Sequence, residues 1–212
     1  VSPGLTESIR HGITTCFVGS CSLSTIYSSP EDVSDIFTRV ESVPREYVLP
    51  ALEKMKTWSD STGYINFLNN LPLGPNIACY VGHSDLRAGV MGLGRSVNPK
   101  LRPSSKELGK MKWLLNQAID DGFLGLSSMT NPWDKVDGDR FRSAKLPSAY
   151  AKWKEYRALH KILRKRNAIL QSAPNLVTKI NAIFFLFTSS GFGFRKKLRT
   201  TLITLIDTKA DP

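Results

Sequence analysis

Short runs of apolar and β-branched residues alternate with longer amphipathic segments along this chain. Glycine, proline or polar turn residues bound these runs. The runs predict five strands, at 13–18, 76–81, 123–127, 168–171 and 200–206. The first run has no polar alternation, which predicts a strand buried on both faces. Cys21 follows this strand, at the position where working residues gather in parallel α/β folds.

The segments between the strands carry helix signals. Ser29 and Pro30 predict a helix that begins at Pro30, and Ser104 with Glu107 forms a capping box for a helix that continues toward Gly122. Helical spacing of apolar residues predicts further helices at 5–10, 44–56, 61–70, 148–166 and 176–187. On the helix faces we expect two solvated histidines, His11 and His160, and three core tryptophans, Trp58, Trp113 and Trp153.

Strands that alternate with helices indicate an α/β fold with parallel strands and right-handed crossovers. Two architectures fit, an open doubly wound sheet and part of a TIM-type (β/α)8 barrel. No G-x-G-x-x-G sequence follows the first strand, which disfavours a dinucleotide-binding fold. A closed barrel takes about 250 residues, so a 212-residue chain with five strands would be an incomplete barrel. We expect a single domain over residues 1–212.

The cysteines and the apolar stretches limit the possible settings of the protein. Cys16, Cys21 and Cys79 form neither an even set nor a C-x-x-C pair, so we expect no disulfide framework and no zinc finger. We therefore expect a reducing, cytoplasmic location and no signal peptide. The apolar run at 183–187 is far shorter than the ~20 residues of a membrane span, and we expect no membrane partner.

The formal charge of +11 is concentrated in the last third of the chain, which holds 16 of the 29 basic residues but only 3 of the 18 acidic ones from residue 140 onward. The cluster Arg195, Lys196, Lys197 and Arg199 is the best candidate anion-binding site. Solvated helix faces explain much of the remaining charge. Few aromatic residues are interleaved with these cations, so nucleic acid is the less favoured partner.

Three sequence blocks together resemble the N-acyl-D-amino-acid deacylases, the D-aminoacylase branch of the metal-dependent amidohydrolases. They are GITTCFVGSC at 12–21, NIACYVGHSDLR at 76–87 with VMG at 90–92, and DGFLGLSS at 121–128. Their order and spacing agree with that family across residues 12–128. The segments at 171–175 and 200–207 resemble those of a divergent subgroup.

The resemblance implies a (β/α)8 barrel that holds zinc at the carboxyl ends of its strands and hydrolyses the amide of a small-molecule N-acyl-D-amino acid. Cys21 matches the family's zinc-binding cysteine. Zinc lowers the pKa of its bound water to ~7 and polarises a carbonyl group. His83, Arg87 and Ser127 lie at strand ends, where they are candidates for substrate binding, Arg87 through a bidentate contact with a carboxylate. Structural hydrogen bonds are the alternative role for His83 and Ser127.

The departures from the family pattern are equally informative. The family's paired-histidine motif would lie before residue 1 and its acidic catalytic residue beyond residue 212, while the strand equivalent to its fifth ends in Gln171 rather than in a histidine. One thiolate is too few for a tetrahedral zinc site. We therefore expect a barrel fragment that lacks its N-terminal and C-terminal strands, is inactive alone and self-associates. The alternatives are a non-catalytic barrel that lost its metal site and, less favoured, an anion-binding or nucleic-acid-binding module.

Overall fold

A computed structural model of the chain describes residues 4–173, 179–191 and 196–203. Five strands form a single sheet in the order of the sequence, and every neighbouring pair is parallel. The strands are β1 (Thr15–Val18), β2 (Asn76–Gly82), β3 (Gly125–Met129), β4 (Ile169–Ala173) and β5 (Arg199–Leu202). The sheet curls into a half-barrel with intervening helices, which confirms the predicted partial TIM-type barrel.

Among the helices that the structure describes, the first precedes β1 and the others occupy the connections between the strands. They are α1 (Thr6–Arg10), α2 (Pro30–Glu41), α3 (Arg45–Met55), α4 (Ser61–Asn69), α5 (His83–Met91), α6 (Leu93–Ser96), α7 (Ser105–Asp120), α8 (Trp153–Arg166) and α9 (Lys179–Ser190). The predicted caps are present, because the Ser29 side chain accepts from the Asp32 amide and Ser104 forms a reciprocal capping box with Glu107.

Two elements differ from their predictions. The helix expected over 148–166 is divided into a 3-10 helix, Pro147–Tyr150, and α8, because Ala151 and Lys152 between them are extended. Residues 83–87, expected at the end of the second strand, belong instead to α5, which begins directly after β2. The last expected strand is observed only as β5, since residues 204–206 lie outside the described residues.

The first strand is not buried on both faces as predicted. It lies at the edge of the sheet and pairs with β2 alone, so its side chains alternate between exposed and half-buried. Phe17 is 60% exposed. The exposure of its side chains therefore follows from pairing on one side only.

The main core lies between the sheet and the helices. Val81, Leu126 and Leu170 occupy aligned positions on β2, β3 and β4, and they pack with residues of α7 and α8. Side chains alternate along a strand, so the next aligned row, Gly82, Ser127 and Gln171, belongs to the face opposite these helices.

A second, smaller apolar cluster involves the segment between β3 and the 3-10 helix. Val136 and Leu146 from this segment pack with Leu23 and Met129, and Ala173 packs against them. Met129 and Ala173 are the last residues of their strands. This cluster therefore lies at the carboxyl ends of the strands, where the sequence places the candidate site.

Two tryptophans expected in the core are on the surface. Trp113 of α7 is 62% exposed and Trp153 at the start of α8 is 44% exposed. Neither helix needs them for packing, because Met111 and Leu115 of α7 and Leu159 and Leu163 of α8 fill the core-facing positions. Among the described helices, none is both long and apolar enough to cross a membrane.

Candidate functional site

The loop that follows β1 carries an unusual concentration of left-handed backbone. Gly19, Cys21 and Ser22 have φ values of 82°, 54° and 65°. A Cβ atom on Gly19 would lie 2.1 Å from the carbonyl oxygen of Tyr80, so only glycine fits there. The left-handed conformation costs a non-glycine residue about 1 kcal/mol or more. The surrounding structure must therefore hold Cys21 and Ser22 in place.

A group of buried serines provides that support. The Ser22 amide donates to Ser127 Oγ at 3.1 Å, and the Ser127 hydroxyl donates to the Gly19 carbonyl oxygen. Ser22 Oγ also lies 2.7 Å from Ser84 Oγ and 3.1 Å from Ser148 Oγ. Hydrogen bonds from three different segments thus fix the backbone around Cys21.

Cys21 itself is half-buried and packs against the second apolar cluster. Burial raises the pKa of its thiol, and the negative charges of Glu41 and Asp134 raise it further. The group is therefore a neutral thiol at neutral pH unless a cation binds nearby. No group of three or more histidine, cysteine or acidic side chains placed to hold a metal occurs among the described residues.

His83 and Arg87, predicted as substrate-binding residues, lie in a buried network on the helix side of the sheet. His83 Nδ1 lies 2.9 Å from Ser128 Oγ, and its Nε2 lies 2.7 Å from Glu155 Oε1. The other oxygen of Glu155 pairs with Arg87. The side chains of His83, Arg87 and Glu155 are at most 2% exposed. Their polar groups are therefore directed toward one another.

The order hydroxyl, imidazole and carboxylate in this network resembles a nucleophilic triad, but its surroundings differ. Ser128 is only 3% exposed, and Arg87 neutralises the carboxylate of Glu155. Burial alone would raise the pKa of Glu155, yet the hydrogen bond and charge of His83, together with Arg87, outweigh burial and lower it. The network is thus an enclosed ionic cluster that links β2, β3 and α5 with α8.

His160 of α8 is buried rather than solvated as predicted. It is 6% exposed, its ring centroid lies 5.8 Å from that of Tyr156, and neither ring nitrogen has a hydrogen-bond partner among the described residues. Burial lowers the pKa of His160 to about 3, with smaller contributions from the charges of Arg164 and His83. The many lysines and arginines of α8 indicated a solvated helix. His160, however, lies on the side of the helix that faces the core.

The remaining predicted residues are placed elsewhere. Lys196, Lys197 and Arg199 are exposed, and Arg199 donates to the Asn167 carbonyl oxygen at 3.3 Å. Arg195 lies outside the described residues. These cations lie in β5 and in the segment just before it. Because β5 and β1 are at opposite edges of the sheet, the structure does not bring the cations together with the Cys21 loop.

Sequence reasoning missed three residues that organise this region. Glu155 and Ser148 gave no signal, because their partners are far away in the chain. Asp85 lies within the block at 76–87, and its buried carboxylate accepts from the Ser24 hydroxyl at 2.6 Å and from amides of residues 26–28. An acid two residues beyond a histidine at a strand end was the available signal for Asp85.

No protein-family model matches the chain. Over its whole length it is 49% identical to uncharacterized proteins of Mycobacterium tuberculosis and Mycobacterium bovis, and it spans 35% of their length. A D-aminoacylase of Alcaligenes xylosoxydans is 28% identical over 129 residues, which are 58% of this chain and 22% of that enzyme.

Solved structures show a similar fold. An N-acyl-D-glutamate deacylase from Bordetella bronchiseptica, in complex with zinc and a phosphonate inhibitor, matches with a TM-score of 0.66 and 22% identity. A D-aminoacylase matches with a TM-score of 0.64 and 19% identity. Each match covers 94% of this chain and 36% of the other. The fold of the chain is therefore that of a part of these larger proteins.

Proposed function

We propose that this chain forms the central part of a metal-dependent amidohydrolase that hydrolyses the amide of N-acyl-D-amino acids. The observation that carries the proposal is the loop at the carboxyl end of β1, where buried serines hold Cys21 in a left-handed conformation at a costly backbone geometry. Such strain is characteristic of functional positions. The three sequence blocks and the deacylase-like fold support the same assignment.

Zinc is the proposed metal, with Cys21 as the ligand that this chain provides. The described residues alone do not fit a complete zinc site, because they offer one thiol of raised pKa and no group of three ligands. We therefore expect the 212-residue chain to be inactive alone. A cytoplasmic setting accords with its three free cysteines.

The predicted substrate-binding residues take different parts in this proposal. Ser127 is fully buried and its hydroxyl bonds the Cys21 loop on both sides, so we assign it a supporting role for that loop. His83 and Arg87 are enclosed, and contact with substrate would require their bonds to Glu155 to break. We assign them a positioning role for the carboxyl ends of β2 and β3.

A chimeric protein tests the proposal. The matching segment of the Mycobacterium tuberculosis relative is replaced by this chain, and hydrolysis of N-acyl-D-amino acids and zinc content are measured for parent and chimera. Both proteins should bind zinc and act on D but not on L substrates. Cys21→Ala should lower the zinc affinity of the chimera by more than about tenfold, the loss typical when a residue that only supports a ligand is changed.

Cys79→Ala provides the matched control, because Cys79 is a buried core cysteine on β2 rather than a loop residue. Its replacement should leave zinc content unchanged. The proposal fails if the parent neither binds zinc nor cleaves these substrates, if the chimera is inactive beside an active parent, or if Cys21→Ala retains full activity.

A non-catalytic barrel is the second candidate, and Gln171 favours it. This residue occupies the strand position where the resemblance implies a histidine ligand, and its buried Oε1 atom has no hydrogen-bond partner among the described residues. A parent and a chimera that both fold without stoichiometric zinc would support this candidate over the hydrolase.

A further inference from the structure

The solvent-exposed side of α8 carries a row of cations. Lys154, Arg157, Lys161 and Lys165 are all exposed, and their spacing of three, four and four residues places them on one face of the helix. The row extends about 16 Å at 1.5 Å per residue. Within the described structure none of the four forms an ion pair, and the one acid of α8, Glu155, is buried on the other side.

The neighbouring helix extends this surface. Lys106, Lys110 and Trp113 of α7 lie at positions i, i+4 and i+7 and are exposed. The two helices pack side by side, and Arg166 of α8 pairs with Asp120 at the end of α7. Packed helices lie about 8–10 Å apart, and the exposed indole and the cation row lie on the solvent-exposed sides of these two adjacent helices. The four cations of α8 and these three residues form the α7–α8 basic face.

We infer that the α7–α8 basic face binds single-stranded nucleic acid, with successive phosphates along the cations of α8 and a base stacked on Trp113. A linear row of cations beside an exposed aromatic ring suits a polyanion with stacking bases rather than a single anion. This inference concerns the outer surface of the helices and is independent of the proposed hydrolase.

The geometry disfavours two other polyanionic partners. The major groove of a duplex is about 12 Å wide and admits one helix, whereas α8 has α7 packed along its side. An interfacial helix inserts its apolar side into a membrane, but Leu159, Ile162 and Leu163 of α8 are already buried in the core. A flexible single strand can follow the cation row without displacing either helix.

Salt dependence measures the number of phosphates bound. We expect a fluorescent oligouridylate of about 12 nucleotides to bind the 212-residue chain, as measured by anisotropy. Four neutralised phosphates predict a slope of about −2.8 for log K against log salt, which corresponds to about a 50-fold loss of affinity between 50 and 200 mM salt. The absence of binding at low salt would overturn the inference.

Variants on the row and on the indole test the placement. The triple variant Lys154→Gln, Lys161→Gln, Lys165→Gln should reduce the slope to about −0.7, because one cation of the row remains. Trp113→Ala should lower the affinity about fivefold or more without changing the slope, since it removes a stacking surface and no charge. Trp113→Phe should restore most of the affinity.

A charge-matched control separates this face from the general positive charge of the chain. Lys54→Gln, Lys100→Gln, Lys145→Gln removes three exposed cations that lie outside α7 and α8, and it should leave affinity and slope nearly unchanged. An equal loss in this control would refute the inference. Stronger binding to phosphatidylserine vesicles than to the oligonucleotide, lost in the α8 triple variant, would instead assign the face to a lipid surface. Circular dichroism verifies that every variant is folded.

Discussion

Acidification below about pH 6.5 should destabilise the protein through His160. The folded protein holds this side chain buried and neutral, with a pKa of about 3, whereas an unfolded chain allows a pKa of about 6.5. The unfolded state therefore binds more protons below pH 6.5. A depressed histidine pKa contributes stability that is complete above the unfolded pKa and is lost as the pH falls from 6.5 toward 3.

The size of this effect follows from the two pKa values. One pKa unit corresponds to 1.36 kcal/mol, so the stability that His160 contributes should fall by about 2 kcal/mol between pH 7 and pH 5. That loss is a large fraction of the 5–15 kcal/mol that typically separates folded from unfolded states. His160→Phe removes the titrating group and fills the space with another ring beside Tyr156.

Urea unfolding followed by circular dichroism at pH 7, 6 and 5 measures the effect. The wild-type chain should lose about 2 kcal/mol more than the His160→Phe variant over this range. His11→Gln serves as the control for the loss of a histidine, because His11 is exposed. Equal losses in the wild type and in His160→Phe would show that His160 is not held neutral in the folded protein.

Three further substitutions test the network, the sheet and the loop. Glu155→Gln should lower the free energy of unfolding by about 3 kcal/mol, because it leaves the buried charge of Arg87 unpaired. Gly125→Ala should prevent folding or cost more than about 3 kcal/mol, since the new Cβ would lie 2.0 Å from a carbonyl oxygen of β4. Asp85→Asn should lower the melting temperature and speed proteolysis of residues 24–28, because an amide cannot accept all the bonds that the carboxylate accepts.

Two of these substitutions, Glu155→Gln and Gly125→Ala, have a matched control. Glu7→Gln breaks an exposed pair with Arg10 and should cost less than about 1 kcal/mol. Gly109→Ala places a Cβ in open space on α7 and should stabilise the protein by about 0.5–1 kcal/mol. A cost for Glu155→Gln no larger than that for Glu7→Gln would contradict the described ionic cluster.

The parts of the fold that follow from local patterns were predictable. The capping serines Ser29 and Ser104 determine where α2 and α7 begin, and each satisfies amides only three residues away. Short apolar runs predicted five parallel strands in the correct order. The α5 helix was missed because it begins without a linker or a side-chain cap after Gly82.

The buried polar contacts were not predictable, because they depend on distant partners. Glu155 occupies a helix rich in lysine and arginine, where an acid is typically solvated, but 72 residues separate it from His83. Phe17 is apolar and yet exposed, because β1 pairs with β2 alone and lacks a neighbouring strand on its other side. Neither the burial of Glu155 nor the exposure of Phe17 can be predicted from the spacing of apolar and polar residues within its own segment.

The alternation of strand side chains divides the candidate site into two parts with different roles. Ser127 and Ser128 are adjacent in β3, yet Ser127 bonds the loop that carries Cys21 whereas Ser128 contacts His83 on the helix side. Ser127 therefore holds the Cys21 loop directly, from a position that is itself fully buried. The His83 network lies on the opposite, helix side of the sheet, where it joins the ends of β2 and β3 to α8. It thereby fixes the end of β3, to which the Cys21 loop is hydrogen-bonded.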